Sequence, residues 1–540
     1  MKLFAYAIFL SLCLAFPVYA ANVYTNCAMP SSSFGHVWYF DPVHGNTKAA
    51  GNDGSQAAPW NNLQALIQAE PGYDYPLLTT APYRQVPVPG QPAVNKTGPN
   101  AGPVEPGDEI LLMSGNYGAV SIGGLSTIIS NSDFVTVAAA PGQTPVLTSL
   151  FVGETNKWVF NGLKVQSLQT AGRGANALVQ IKDAGATLQT SNIVLENMII
   201  SSQDNAEAWT QAQWVANASN GFSALSTAPG TNTSCISLTG SHISNVKTGA
   251  SLTASQIVFS NNQIDHFGDD AVDYAGSNLS ITKNDIHDNL NIGDGNHEDA
   301  MQGQIGILAP GTTVNRFQNI LIDSNLIIRQ SDPELSFPTY LQGIDAFDED
   351  WTNVTVTNNV VITSACWGID FSSIHNGLIA DNTVVADGLV ATTGCAGANV
   401  AVGETTSEGS PSSNTLVRNN LTNQIEVYNV NNGVEADHNV IMSGGYSPML
   451  IWYVGRVAQY VGKPGNYGTN IIDTGDPQSE FVNFNPATLT YNVMLKSSAP
   501  AACSGNPMGA PTVDILGVVR QSPPQCPAGS YTAGAYGYPF

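Results

Sequence analysis

The stretch Ile257-Val-Phe-Ser-Asn-Asn262-Gln-Ile decides the fold, because its pattern returns along most of the chain. Apolar and polar residues alternate over five positions, an Asn or Ser follows, and an apolar residue comes two positions later. Clear copies are Leu279-Ser-Ile-Thr-Lys-Asn284-Asp-Ile, Ile320-Leu-Ile-Asp-Ser-Asn325-Leu-Ile and Val354-Thr-Val-Thr-Asn-Asn359-Val-Val, and degenerate copies end at Asn197, Ser241, Asn382, Asn420 and Asn439. A recurrence of about 20 residues, lengthened by insertions, is typical of a solenoid.

The alternation in each copy predicts a short strand with one buried face. The Asn stands where the chain must turn, because Asn tolerates the left-handed backbone conformation. In stacked rungs such Asn side chains can form a ladder, each amide bonding those above and below. Apolar residues three and four positions apart, which would indicate helical repeats, are not part of the pattern. We therefore predict an all-β protein with a right-handed parallel β-helix.

The two ends of the chain are not part of the repeat. Residues 1–20 carry Lys2, an apolar run and a small-residue exit at Ala20, which predicts a secretory signal peptide. Six cysteines remain after Cys13 is removed, an even number that suits an oxidising compartment. We expect Cys503 to pair with Cys526 and Cys366 with Cys395, which leaves Cys27 and Cys235. The protein is thus expected to be secreted, either extracellular or periplasmic.

Charge narrows the classes of partner. The chain of 540 residues has 41 acidic and 17 basic side chains and a net charge of −24. Such a surface repels nucleic acid and anionic membranes, so we expect neither as a partner, and no later segment is apolar enough to insert into a bilayer. An acidic polymer would be repelled too, unless a cation or a local basic patch binds it. We expect a monomer.

The segment before the repeats resembles the opening of a known superfamily. It reads Val37-Trp-Tyr-Phe-Asp-Pro-Val-His-Gly45, Gly51-Asn-Asp-Gly54, Ala58-Pro-Trp60, Leu63-Gln-Ala-Leu66 and Gly107-Asp-Glu-Ile-Leu-Leu112. This order of strand, Asp-Gly, Pro-Trp and short helix resembles secreted β-helix enzymes of the pectate-lyase-like superfamily. The tail, with Asp514-Ile-Leu-Gly517, Arg520 and Gly534-Ala-Tyr536, is similar to the closing segment of the same group.

The resemblance implies a division of the chain and a class of substrate. The predicted units are a signal peptide at 1–20, an N-terminal segment with a helical cap at 21–106, the parallel β-helix at 107–470 and a C-terminal capping segment at 471–540. It implies a polysaccharide partner, and a polysaccharide lyase that uses Ca²⁺ is the expected activity. A glycoside hydrolase or a C5-epimerase on the same fold are alternatives, and a non-catalytic polysaccharide-binding or adhesin solenoid is the alternative of another class.

Insertions at roughly 200–234, 286–319, 329–343 and 386–413 interrupt the repeat, and loops on one face of a solenoid usually build its binding site. Register adds a second clue. Asp273, Asp345 and Asp370 each follow an apolar residue and precede a repeat Asn by 11, 14 and 12 residues. Stacked rungs would project these three carboxylates from one sheet, with Asp299 or Gln302 on the rung between. Such a column invites Ca²⁺ or catalytic use, although turns also favour Asp.

Three mechanisms fit these residue types: Ca²⁺-assisted β-elimination with a His, Lys or Arg base, hydrolysis by two carboxyl groups, and epimerisation. Polygalacturonase-type motifs beyond Gly268-Asp-Asp270 and the epimerase Asp-Pro-His motif in the repeats are not found. The predicted catalytic residues are His287, His297, Lys283, Asp299 and Asp273. The predicted substrate contacts are Gln302, Tyr274, Trp351, Trp367 and Arg329. The predicted Ca²⁺ ligands are Asp269, Asp270, Asp273 and Asp345.

Overall fold

The structure, a computed structural model, is built almost entirely from short strands. It describes residues 27–31, 33–82, 100–124, 127–167, 177–183, 189–225, 233–304, 316–347, 349–389, 397–403, 410–428, 430–442, 449–454, 457–461, 465–473 and 475–538. The predicted signal peptide at 1–20 lies outside these residues. Nearly all the described strands belong to three long sheets, which the chain visits in the same order on each rung. This is a parallel β-helix, as the repeat predicts.

The first sheet contains the strand at the start of each repeat copy. Its strands, in order across the sheet, are Val37–Phe40, Glu109–Leu112, Val135–Ala139, Asn156–Asn161, Ser191–Glu196, Ser234–Thr239, Ser255–Ser260, Leu279–Thr282, Arg316–Asp323, Asp350–Thr357, Leu378–Ala380, Thr415–Arg418 and Val434–Asp437, with Ile374–His375 also pairing with Asp350–Thr357. Every neighbouring pair is parallel and in register; Ile257, for example, lies beside Leu279, and Leu279 beside Ile320.

The second sheet follows the repeat Asn. Its strands are Gly115–Asn116, Pro145–Leu147, Lys164–Gln166, Ile199–Ser201, His242–Val246, Gln263–Phe267, Asp285–Asn289, Leu326–Ile328, Val360–Thr363, Thr383–Ala386, Leu421–Thr422, Val440–Ile441, Asn470–Ile472 and Gly465–Tyr467. The last pair is antiparallel, which ends the parallel winding on this side.

The third sheet completes each rung. Its strands are Ala119–Gly123, Ser149–Gly153, Val179–Lys182, Phe222–Leu225, Ala250–Leu252, Val272–Tyr274, Asp299–Gly303, Gln342–Ala346, Trp367–Phe371, Asn399–Val402, Gln424–Val427, Met449–Val454 and Val457–Val461. Apolar side chains from the inner faces of all three sheets form one continuous core along the solenoid.

Other elements lie outside the three sheets. A two-stranded antiparallel hairpin joins Phe481–Asn485 to Thr490–Leu495. The α-helices are α1 (Gln211–Asn217) and α2 (Pro477–Glu480). The 3₁₀ helices are Lys48–Ala50, Leu63–Leu66, Ala206–Ala208, Val430–Asn432, Pro486–Thr488 and Pro500–Cys503. In the described part of the chain, no helix has the length and apolar character needed to cross a membrane.

The predicted Asn ladder is present and buried. The amide of Asn284 donates to Asn325 Oδ1 at 2.9 Å, and that of Asn325 donates to Asn359 Oδ1 at 2.9 Å. The same bonding adds further Asn residues to the ladder: Asn262, Asn382, Asn420, Asn439 and Asn470. Asn197, which was predicted to end a degenerate copy, lies outside the ladder and donates to Asn161 instead. Each ladder oxygen also accepts a backbone N–H from the rung before it, so both halves of the amide are used.

One detail of the predicted turn is wrong. The left-handed residue is the one before the ladder Asn, and not the Asn itself. Asn261, Lys283 and Ser324 have φ angles of 56°, 56° and 60° at that position. The position tolerates Lys and Ser because the conformation is fixed by the buried ladder that follows, whereas the Asn is required for its amide.

The two terminal segments pack against the solenoid. Leu63 and Leu66 of the predicted cap helix are buried in the main core beside the first rungs. The C-terminal segment lies along the outer face of the second sheet, where Phe481 and Phe484 contact a patch of that sheet. The sheet residues of this patch include Val360, Ile362, Val385, Leu421 and Val440.

One described disulfide was predicted, and a second joins the two cysteines that the predicted pairs left over. Cys503 is bonded to Cys526, as predicted, and Cys27 is bonded to Cys235 across 208 residues. The predicted partner of Cys366 was Cys395, which lies outside the described residues; Cys366 itself is disulfide-bonded.

Candidate active site

The predicted aspartate column exists on the outer face of the third sheet. Strand register places Asp273 beside Gln302, Gln302 beside Asp345, and Asp345 beside Asp370. Adjacent parallel strands are about 4.8 Å apart, so the column presents one carboxyl or amide group per rung. Of the two residues predicted for the intervening rung, Gln302 occupies the column position. We call Asp273, Gln302, Asp345 and Asp370 the aspartate column.

Four carboxyl groups at this face form what we call the aspartate cluster: Asp270, Asp273, Asp299 and Asp345. Asp299 and Asp345 are fully buried, and four oxygens of the cluster have no hydrogen-bond partner among the described residues. These oxygens are Asp273 Oδ1, Asp299 Oδ1 and both carboxyl oxygens of Asp345. Buried acids without donors are costly when ionised, so the cluster needs protons or a cation.

Burial and mutual repulsion raise the pKa values of this cluster. Burial raises the pKa of Asp273 to about 6, with the charges of Asp269 and Asp299 adding to the effect. The pKa values of Asp270 and Asp345 are also raised, first by burial and then by their neighbours Asp273 and Asp299 respectively. The predicted repulsion between stacked carboxylates is therefore a property of this site.

His297 forms an imidazole–carboxylate pair at the edge of the cluster. Its Nδ1 lies 2.7 Å from Asp299 Oδ2, and Gln302 Nε2 donates to the same oxygen at 2.9 Å. Asp270 in turn accepts the backbone N–H of Asp299 at 2.9 Å. The His297 side chain is 48% exposed, so its Nε2 edge faces solvent while the carboxylate behind it is buried. The hydrogen bond to Asp299 raises the pKa of His297 above its usual 6.5.

The insertions between the second and third sheets build a wall beside this face. Helix α1 and two later loops share a small apolar core of their own. Trp214 of α1 is buried there against Trp209, and the two later loops supply Ile292 and Leu335. This packing explains why insertions far apart in sequence occupy one side of the solenoid.

Lys247 contacts two acidic side chains next to the aspartate cluster. Its Nζ lies 2.7 Å from Asp294 and 3.7 Å from Asp269. Two carboxylates thus share its one charge, and Thr248 adds a long hydrogen bond to Asp269 at 3.4 Å. Sequence reasoning missed Lys247, although it lies one rung before Asp269 on the same turn.

An aromatic pair stands beside the later rungs of the column. The ring of Trp367 is 40% exposed and packs edge-on against Phe347, with 6.0 Å between the ring centres. Phe347 directly follows the strand Gln342–Ala346, two residues beyond Asp345. An exposed indole can stack on a sugar ring, and the role of Trp367 in substrate binding stays a prediction.

Three of the predicted substrate contacts are wrong, because their side chains are buried. Tyr274 and Trp351 are 0% exposed and pack against each other in the core, with 5.3 Å between ring centres. Arg329 is 1% exposed, pairs with Asp387 at 2.8 Å and donates to the Thr339 carbonyl at 3.0 Å. Tyr274 directly follows Asp273, so strand alternation turns it inward.

Two predicted bases lie away from the cluster. His287 is on the second sheet beside Asp265, with its Nδ1 2.6 Å from Asp288. Lys283 is the left-handed residue of the Asn turn between the first and second sheets. Neither residue shares the sheet of the aspartate column, so the structure does not bring them to the other predicted catalytic groups.

The aspartate cluster contains oxygen donors of the kind that bind Ca²⁺. Carboxylate oxygens are the ligands that Ca²⁺ prefers, and the four unpartnered oxygens of the cluster supply them. In the residues described, however, no three His, Cys, Asp or Glu side chains surround a common point closely enough to hold a metal ion. The donor set thus fits Ca²⁺ in the chemistry of its oxygens, while these side chains do not form a Ca²⁺ coordination geometry.

Two further acids extend the site. Glu298 is 2% exposed and accepts a hydrogen bond from Thr339 at 2.8 Å; burial raises its pKa to about 7. Burial also raises the pKa of Asp370 to about 7, with the charge of Glu426 adding to the effect. Glu298 was not among the predicted site residues, although its neighbours His297 and Asp299 were.

A separate cavity of about 570 Å³ lies near the C-terminal end of the solenoid. Its lining includes Val427, Val434, Leu450 and Tyr467, with Glu435 and Asp437 as its acidic residues. None of the predicted site residues lines it, so the cavity is distinct from the candidate site.

The chain is similar to solved β-helix proteins only at low sequence identity and low TM-score. No protein-family model and no curated protein matches the chain. Among solved structures it is similar to pectate lyase Pel9A (13% identity, TM-score 0.40, covering 94% of this chain and 97% of that one). It is also similar to the A-module of the Azotobacter vinelandii mannuronan C-5 epimerase AlgE6 (15%, 0.37, 62% and 84%) and to a rhamnogalacturonan lyase (12%, 0.32, 84% and 92%).

At these scores the comparisons carry no argument about activity. The predicted parallel β-helix is confirmed, and the strand pairing of this chain is what establishes it.

Proposed function

We propose that this protein is a secreted carbohydrate-active enzyme that cleaves an acidic, uronate-containing polysaccharide by β-elimination at the aspartate cluster. The observation that carries the proposal is the set of buried, unpartnered carboxyl oxygens beside a solvent-facing imidazole. Buried acids at such density are unfavourable for the fold, and perturbed pKa values of this kind cluster at functional sites. The two disulfides support an oxidising, extracellular or periplasmic location.

The scarcity of cations defines how a uronate could bind. Lys247 is shared between Asp269 and Asp294, so its charge is already compensated. A polyanionic substrate therefore needs a metal ion between its carboxylate and the cluster. Asp270, Asp273, Asp299 and Asp345 are the residues that would hold Ca²⁺, which would neutralise the substrate carboxylate and make the adjacent C5 proton more acidic.

His297 is the group placed to remove that proton. Its Nε2 is directed away from Asp299 and toward solvent, and the bond from Nδ1 to Asp299 holds the ring in one tautomer. Asp299 also stabilises the imidazolium once the proton has been taken. Asp273 would be ionised as a Ca²⁺ ligand, so the proton that the leaving oxygen takes up would come from solvent water.

Hydrolysis is the second candidate, and one observation favours it. Asp273 and Glu298 have pKa values of about 6 and 7, so both can hold a proton near neutral pH as a general acid must. A hydrolase would use such an acid together with an ionised carboxylate and would need neither Ca²⁺ nor His297.

The test is incubation of the purified protein with a panel of uronate-containing and neutral polysaccharides, in Ca²⁺ or in a chelator. We expect new ultraviolet absorbance from an unsaturated uronate, together with new reducing ends, only on uronate polymers and only with Ca²⁺. Reducing ends without the absorbance would replace elimination by hydrolysis. Binding without any new ends on every polymer would favour a non-catalytic protein.

A further inference from the structure

A second group of oxygens lies where the solenoid meets the C-terminal segment, away from the third sheet. The loop that contains Asp473, Gly475 and the short helix α2 (Pro477–Glu480) connects the strand Asn470–Ile472 to the hairpin strand Phe481–Asn485. Asp473 N donates to Ile441 O at 2.9 Å, and Lys496 N donates to Glu480 O at 2.8 Å. The loop is therefore tied to the last rung at one end and to the hairpin at the other.

Three side-chain oxygens converge on the space beside Gly475. A Cβ atom added to Gly475 would lie 2.5 Å from Asp473 Oδ2, 2.7 Å from Ser479 Oγ and 3.1 Å from Glu480 Oε1. The glycine backbone here is not in the left-handed region, so backbone geometry does not require a glycine. What the missing side chain leaves is a small space surrounded by oxygens.

Glu480 is buried without a partner in this space. It is 0% exposed, and neither carboxyl oxygen has a hydrogen-bond partner in the described part of the chain. The nearby ammonium group of Lys496 donates to the Gln478 carbonyl at 2.5 Å, and no lysine or arginine of the described residues lies within ion-pair distance of Glu480. An unpaired buried carboxylate costs several kcal/mol in general, so an ionised Glu480 would be stabilised by a cation.

We propose that Asp473, Ser479 and Glu480 form a structural binding site for a divalent cation, with Ca²⁺ as the ligand. Hard oxygen donors from two carboxylates and a hydroxyl, completed by water or backbone carbonyls, are the coordination that Ca²⁺ takes in proteins. Ser479 Oγ donates its hydrogen to Asp476 O at 2.8 Å and keeps its lone pairs available. Asp473 is partly exposed, which gives the ion a route in.

The site would fasten the C-terminal segment to the last rung. Ile472 and Phe481 are buried on either side of the loop, so an ion between Asp473 and Glu480 joins the main core to the apolar contact of the hairpin. This role is independent of the proposed catalytic function, since none of its residues lies on the third sheet.

A shared proton is the rival explanation for the same pair. Burial and the neighbouring Asp473 raise the pKa of Glu480 to about 8, so a protonated Glu480 could bond Asp473 without any ion. The rival predicts no Ca²⁺ dependence, and substitution of Glu480 by Gln would then preserve the contact.

The test is thermal unfolding of the full chain in Ca²⁺, Mg²⁺ and EDTA, with isothermal titration of Ca²⁺ into chelated protein. The variants are Glu480→Gln, Asp473→Asn and Gly475→Ala, the last of which fills the space without changing any charge. Glu435→Gln, which removes an exposed acid near the same end, is the matched control. Each variant is also made in an Asp345→Asn background, which removes one proposed Ca²⁺ ligand of the aspartate cluster.

We expect Ca²⁺ to raise the Tm of the wild type, of Glu435→Gln and of Asp345→Asn by several degrees above the EDTA value. In the Asp345→Asn background, where the aspartate cluster lacks one of its proposed Ca²⁺ ligands, the three loop variants should lose that shift and one bound Ca²⁺ in titration. Glu480→Gln should have a higher Tm in EDTA than the wild type because it carries no buried charge. A Ca²⁺ shift that survives in Glu480→Gln and Gly475→Ala in that background, or no shift in the wild type, overturns the proposal. Loss of Ca²⁺ binding in Asp345→Asn alone would also overturn it, and would leave the proposed function standing.

Discussion

At the scale of single residues, His297 is the side chain on which the proposed chemistry depends most. It combines solvent exposure at one ring edge with a buried carboxylate behind the other. His287 makes the same kind of bond, to Asp288, but on the second sheet. The two histidines therefore form a matched pair in which one is at the cluster and the other is not.

Replacing His297 by Ala is expected to lower kcat by about 100-fold or more, since a positioned general base contributes that much or more. His287→Ala should leave kcat within a few-fold of the wild type. The hydrogen bond to Asp299 raises the pKa of His297 above 6.5. The neutral base therefore forms at a pH above 6.5, and the activity should rise in that range. Initial rates measured against pH test both statements; equal loss in the two variants would contradict them.

Asp370 allows a prediction about stability. Its folded pKa of about 7 is raised from the usual 3.8, so the folded state favours the protonated form. Stability from this group is present below the unfolded pKa and is lost as pH rises through about 7. Asp370→Asn should therefore stabilise the protein near pH 8, by up to about 4 kcal/mol, and have little effect near pH 4. Denaturant unfolding at both pH values is the measurement, and equal effects at both would refute the assignment.

At the scale of elements, the repeat made part of the site predictable. The spacing of Asp273, Asp345 and Asp370 from the repeat Asn placed all three on one sheet face, because each rung restarts the same register. The alternation of side chains along a strand also predicts that Tyr274 points inward, because Asp273 points outward. The burial of Arg329 could not be predicted in this way, since its partner Asp387 is 58 residues away on a different rung.

The buried Asn ladder should be a strong determinant of stability. Asn325 donates to Ile281 O and Asn359 Oδ1, and its own oxygen accepts the backbone and amide N–H groups of Asn284. Asn325→Ala leaves several buried groups unpaired and should cost about 3 kcal/mol of unfolding free energy. Asn319, in a less buried row, has a φ of 62°, so Asn319→Gly keeps the backbone conformation and serves as the control. Similar losses of unfolding free energy in the two variants would show that the buried ladder stabilises the protein no more than the less buried row does.

At the scale of the whole molecule, the C-terminal segment is held to the solenoid by a buried arginine. Arg520 lies 3.3 Å from Asp381, and its guanidinium donates to Asn358 at 2.7 Å and to two carbonyls of its own segment. Sequence resemblance identified the segment as a closing unit. Its position along the outer face of the second sheet could not be predicted, because it depends on contacts more than 100 residues apart.

Arg520→Met should destabilise the protein by about 3–5 kcal/mol, because Asp381 is left buried without its cation. The double variant Arg520→Met with Asp381→Leu should recover much of that loss, since no charge then remains. Denaturant unfolding and limited proteolysis of the C-terminal segment measure the two effects. An additive double variant would mean that the two side chains do not interact.

In the proposed function, the rungs of the whole solenoid position a cluster of acids that cleaves a uronate polymer by elimination. Mass spectrometry of the products from a uronate polymer, incubated with the wild type in Ca²⁺, tests it most directly. Elimination adds no water, so each fragment that carries a new non-reducing end should be lighter by one water molecule than the hydrolysis product of equal length. Asp345→Asn should produce no such fragments. Fragments that carry the added water, or equal yields from Asp345→Asn, would contradict the claim.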